Sequence, residues 1–187
     1  MKPTKPTKPI WTYPLTWFAV VAAALVLAVA TPRESGVMGH LPTAVGQKID
    51  DKPPALANGD QRFLALVSFH RDQRKEVESW INGLRLRDDP SISWVRMPVV
   101  NDPGDPMLRA AAETRLLARY ASPQERRNLM PVITDRDAFV QSAGLRGTGS
   151  AYVLVVNRSG DVLARVAGEF DEMKAEALRD ILLMREL

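Results

Sequence analysis

The sequence predicts an α/β domain: a three-layer sandwich of a mixed, mostly parallel sheet with helices on both faces, preceded by one N-terminal transmembrane helix. Three observations carry that expectation. Short apolar runs alternate with segments of helical period from Arg62 onward, the arrangement that crossover helices impose on parallel strands. A Gly-containing turn, Asn157-Arg158-Ser159-Gly160, joins the last two apolar runs as a hairpin. Before all this lies an uncharged stretch, Leu15 to Ala30, long enough with Ile10 to Pro14 to cross a bilayer core of about 30 Å.

From the N-terminus, residues 1–9 form a Lys/Pro-rich tail in which recurring proline forbids a helix. Residues 10–30 are the anchor or signal segment. Trp11, Tyr13 and Trp17 sit at its N-terminal side, as headgroup-level aromatics do, and Lys2, Lys5 and Lys8 precede it. By the positive-inside rule the domain then lies outside the cytoplasm, in the periplasm of a bacterium, on a single-pass inner-membrane anchor. Ala28-Val29-Ala30 resembles a cleavage site, so a secreted periplasmic form is the competing reading. Residues 31–61 lack a hydrophobic period and read as a linker, and residues 62–187 as the domain.

Within the domain, Phe63 to Phe69 is an apolar strand covered on both faces. Asp72 is placed to cap a helix whose Val77, Trp80, Ile81 and Leu84 form one stripe. Ile92 to Val100 is the next strand, and Asn101 to Pro106 a loop. Met107 to Tyr120 reads as a helix ended by Ser122-Pro123, with Arg109 and Glu113 paired one turn apart. Pro131 to Thr134 is a short strand and Arg136 to Ala143 a short helix. Tyr152 to Val156 and Val162 to Ala167 are the hairpin strands, and Asp171 caps a last helix carrying Leu178, Ile181, Leu182 and Arg185.

Charge and composition exclude several functions. Setting aside the three lysines of the tail, 22 basic residues face 22 acidic ones, so the domain is neutral and no nucleic-acid surface is expected. The pI of about 9.4 reflects mainly the tail. The chain has no cysteine, which removes thiolate catalysis, disulfide exchange and thiolate metal sites. With two histidines, His40 and His70, no metal and no cofactor is expected.

Two groups of residues are candidates for binding. His70, Arg71, Arg74 and Lys75 lie where a strand ends and a helix begins, the edge at which open α/β sheets bind ligands. Thr148, Gly149 and Ser150 belong to the loop expected beside it. Arg115, Arg119, Arg126 and Arg127 form a candidate docking face for an acidic partner or anionic lipid. Catalysis by His70, with Ser68 on the same alternating side, is the alternative from another class. It needs a carboxylate to orient the ring. A structural role in an envelope assembly is a third.

Leu66-Val67-Ser68-Phe69, Ala143-Gly144-Leu145-Arg146-Gly147-Thr148 and Asn157 to Val162, followed by Gly168 and the last helix, resemble the thioredoxin-like fold from Arg62 onward. The stretch Pro103 to Thr134 resembles the helical insertion of its peroxiredoxin-like branch. In that family the redox pair falls at Asp72 to Val77 and a cis-proline near Gly149-Ser150. This sequence reads DQRKEV at the first and has no proline at the second, so the resemblance implies the fold without the redox chemistry. Val67-Ser68-Phe69-His70-Arg71, Glu78-Ser79-Trp80 and Gly160-Asp161-Val162 are similar to a mitochondrial ATP-synthase assembly factor family. That resemblance implies a chaperone of a membrane complex, with a membrane or periplasmic protein as partner, rather than an enzyme.

Overall fold

The computed structural model describes residues 36–42, 62–120 and 122–183. The tail, the anchor and most of the linker lie outside them, as does Arg185. Among the described residues no helix is long and apolar enough to cross a membrane.

In chain order the elements are β1 (Gly39–His40), β2 (Arg62–Ser68), α1 (Arg74–Gly83), β3 (Trp94–Asn101), α2 (Pro106–Leu117), α3 (Pro123–Arg127), β4 (Val132–Thr134), α4 (Arg136–Ser142), β5 (Tyr152–Asn157), β6 (Asp161–Ala167) and α5 (Glu172–Leu183). The strands make one sheet in the order β1-β6-β5-β2-β3-β4. Its two faces carry separate cores. Phe63, Val67 and Met97 pack with Phe139 of α4 on one side. Leu64 and Leu66 pack with Trp80 and Ile81 of α1 and Leu178 of α5 on the other. Apolar residues on both faces of β2 explain its unbroken run in the sequence.

The sheet is mixed but not mostly parallel. β2–β3 and β3–β4 are parallel, whereas β2–β5, β5–β6 and β1–β6 are antiparallel. The cause lies in the connection before β5. α4 has 7 residues, about 10 Å of rise, and the chain then returns to the edge it left. Thr134, at the end of β4, pairs beside Asn101, and Tyr152, at the start of β5, pairs beside Val67. A full crossover would have delivered β5 to the opposite edge.

The linker reading of residues 31–61 also needs correction. Gly39 and His40 pair antiparallel with Val162 and Asp161, and Leu41 is wholly buried in the Phe63 core. Gly39 fits because a Cβ there would strike the Ala143 backbone.

Two local expectations change as well. α2 stops at Leu117, and Ser122 caps the new short helix α3 by accepting from the Glu125 N–H. Arg109 pairs with Asp102 across 2.6 Å rather than with Glu113. Asp105 and Asp135 cap α2 and α4. The hairpin turn is as read, with Gly160 at φ 88° and the Asn157 side chain holding Asp161. The Asp161 carboxylate accepts from His40 Nδ1 at 3.0 Å, and this bond, with that from Asn157, holds the Asp161 carboxyl below its usual range.

Candidate functional site

The first turn of α1 is bolted to the loop that enters β5. Gln73, only 3% exposed, is the N-cap residue, in place of the expected Asp72. Its Oε1 accepts from the N–H groups of Phe69 and His70 at 2.8 and 3.2 Å, and its Nε2 donates to the Thr148 carbonyl at 2.6 Å. One turn on, the Glu76 carboxylate accepts from the Ala151 N–H at 2.9 Å. Asp72 instead accepts from the N–H of Gln73.

A single buried amide thus satisfies three backbone groups across the loop. Gln73→Ala leaves two donors and one acceptor without it. The expected loss is about 2 kcal/mol, read as a lower urea midpoint. Amide exchange at Phe69 should accelerate too. Gln73→Glu keeps an acceptor for Phe69 and His70 but sets a buried carboxylate oxygen against the Thr148 carbonyl, so it should cost at least as much.

Beside this locked loop, on the sheet face that carries α1, lies an open cleft of about 210 Å³. Leu66, Ser68 and Pro98 form its floor, Val77 of α1 one wall, and Leu116 and Tyr120 at the end of α2 the other. Five basic side chains line it: His70, Arg71, Arg74, Arg96 and Arg119. No carboxylate does so among the described residues. Ser68 and His70 share the cleft, but nothing lining it orients the imidazole as a general base requires.

Arg96 is the unusual member. It stands on the covered face of β3 with its side chain 4% exposed. Its Nη2 meets Glu78 Oε1 at 2.7 Å, and Glu78 Oε2 in turn meets Arg87 at 2.6 Å. The guanidinium lies 6.0 Å from the centre of the Tyr120 ring, and its Nε has no acceptor among the described residues. Arg96 also lines a second cleft of about 250 Å³ with Arg87, Trp94 and Glu125. Burial pushes the Glu78 carboxyl up, but its hydrogen bonds to Arg87 and Arg96 outweigh that and hold it below the usual carboxylate range. Arg74 faces Glu125 at 3.5 Å.

The structure therefore divides the candidates of the sequence differently. His70, Arg71 and Arg74 line the cleft with Arg119, which the sequence assigned to a separate face. Lys75 is exposed outside it. Thr148, Gly149 and Ser150 adjoin the Gln73 bond but do not line the cleft. Arg115 and Arg127 are exposed outside it, and Arg126 donates to the Tyr120 carbonyl at 2.7 Å, fixing the end of the α2 segment. Sequence reasoning missed Arg96. The available signal was a lone cation inside the apolar run Trp94 to Val100.

No protein-family model and no curated protein sequence matches the chain. Among solved structures, the chain is similar to the pneumococcal exposed lipoprotein thioredoxin of Streptococcus pneumoniae, at 12% identity and a TM-score of 0.42, covering 72% of this chain and 87% of that one. It is also similar to a thio-disulfide isomerase from Thermus thermophilus, at 12% identity and a TM-score of 0.37, covering 71% and 85%. In this chain the central strands run β6-β5-β2-β3, with α1 and α5 on one face of the sheet and α4 on the other. The fold is a mixed α/β sandwich, with one sheet between two layers of helices. The segment from α2 to β4, which the sequence resemblance reads as an insertion, lies between β3 and α4 and supplies Arg119 and Tyr120 to the cleft.

Proposed function

We propose that this chain is a redox-inactive thioredoxin-like binding module, which holds a membrane or periplasmic protein against the basic cleft between α1 and the end of α2. On this reading residues 10–30 tether it to a membrane, and it assists assembly of a membrane protein complex. The observation that carries the proposal is the contrast at the end of β2. The place of the redox pair holds Gln73, hydrogen-bonded on both sides, and the chain has no cysteine. The adjoining cleft is open and lined by five basic groups. Rigid strands present it, as they do most binding sites.

The test is co-purification from membranes in mild detergent. The full-length protein is compared with an Arg71→Ala/Arg74→Ala/Arg119→Ala variant and with one lacking residues 1–30. A specific protein partner should accompany the intact chain and be lost, or fall at least about tenfold, in the triple variant, since each charged hydrogen bond contributes about 1.5–3 kcal/mol. The truncated chain should leave the membrane fraction. Equal recovery of the partner with the triple variant would place binding elsewhere on the domain.

A further inference from the structure

The cleft's chemistry narrows its ligand. Glu78 and Glu125 offset Arg96 and Arg74, while Arg71 and Arg119 have no carboxylate within ion-pair distance among the described residues. Those two cations come from separate segments, the end of β2 and the insertion. At the floor lies a third guanidinium, Arg96, buried and with its Nε lacking an acceptor among the described residues. A buried cation that is only partly hydrogen-bonded is costly, and an anion brought near it recovers part of that cost.

Apart from Ser68 and Tyr120 the rest of the lining is apolar, with Leu66, Val77, Pro98, Val99 and Leu116 among it. A small hydrated ion would leave these side chains uncovered. An anionic group carried on an apolar body satisfies both halves of the wall. α2 extends the apolar side: Leu108 and Ala112 fall at four-residue spacing before Leu116, on one ridge of the helix. Leu108 is exposed, and Leu116 is the buried residue of α2.

We infer that the cleft binds a carboxylate of a polypeptide, flanked by an apolar residue, with Arg71 and Arg119 closing on it from the rim and Arg96 facing it from the floor. The inference rests on the binding reading above and adds the chemistry of what is bound. A chain end and an acidic side chain both supply this group.

The experiment uses full-length, nitrogen-15-labelled protein in detergent micelles, following the Arg96 Nε–H and Tyr120 amide resonances. Three probes share an apolar core. They are acetyl-Ala-Leu-Leu with a free C-terminus, its C-terminal amide, and acetyl-Ala-Leu-Glu-Leu amide. The two acids should shift both resonances saturably and the neutral amide should not. Response to the free C-terminus alone assigns the site to a chain end, and response to the Glu peptide alone to an acidic side chain. Arg119→Ala, at an exposed position, should weaken binding about tenfold and leave distant resonances unchanged. Raising salt should weaken it further.

An equal response to the neutral amide, or none to any peptide, overturns the inference. So does inorganic phosphate acting at the same or lower concentration. If the peptides fail while the triple variant still loses its partner, the binding module stands and the carboxylate assignment falls.

Discussion

Replacing Glu78 by Ala should destabilise the domain by about 3–5 kcal/mol, the cost of stranding a buried charge. The charge is Arg96, whose side chain is 4% exposed and whose only ion pair among the described residues is with Glu78. Arg87, on the other oxygen of the same carboxylate, is exposed, so Arg87→Ala should cost less than about 1 kcal/mol. Glu78→Ala combined with Arg96→Met removes both charges and should recover most of the loss, as an apolar replacement of a buried pair does. Urea denaturation of the four proteins measures this, and an effect of Glu78→Ala no larger than that of Arg87→Ala would refute it. The acid dependence follows from the same pair. The Glu78 carboxyl titrates below its ordinary value in the folded protein. Its contribution is therefore complete above the ordinary carboxylate value and is lost as pH falls through the lowered one. The stability gap between the wild type and Glu78→Gln should narrow over that acid window.

Trp80→Ala should cost about 3–5 kcal/mol, the range for emptying a buried aromatic site. Trp80 has no exposed surface. It packs edge-on to Phe170 at 5.2 Å and donates its Nε1–H to the Gly168 carbonyl at 2.8 Å, joining α1 to the turn before α5. Trp80→Phe retains much of the ring but loses that donor, and should cost about 1–3 kcal/mol. Thermal or urea unfolding separates the two. Near-equal losses would show that the hydrogen bond, not the packing, dominates.

What could be read from the residues was whatever depends on neighbours in sequence. The β2 run, the α1 stripe through Val77, Trp80 and Ile81, and the turn at Gly160 are local patterns, and the structure contains them. The exclusion of thiol chemistry needed only the absence of cysteine. Long-range features were not legible. Gly39-His40 carries no strand signal, because its pairing depends wholly on the β6 edge. The direction of β5 turns on the path of the chain after α4, which alternation of strands and helices does not encode. Arg96 looks like an interruption of an apolar strand until Glu78 is seen beneath it. Arg119 joined the cleft only because the insertion folds back over the end of β3. Gln73 sits among charged neighbours that do not mark it for burial, which depends on Thr148, far along the chain.

The placement of β1 has a mechanical consequence. A pull applied through the residues before Gly36 reaches β1 before it reaches any other strand. The load falls first on the bonds from Met38 N–H to the Val162 carbonyl and from Leu41 N–H to the Gly160 carbonyl, each 2.8 Å. Those bonds and the buried Leu41 side chain act as a fuse. When they yield, residues 36–42 pay out at roughly 3.4 Å each, while β6-β5-β2-β3-β4 keeps its order. The domain then gains reach at the cost of one edge strand, with the cleft on the far side of β2 unaltered.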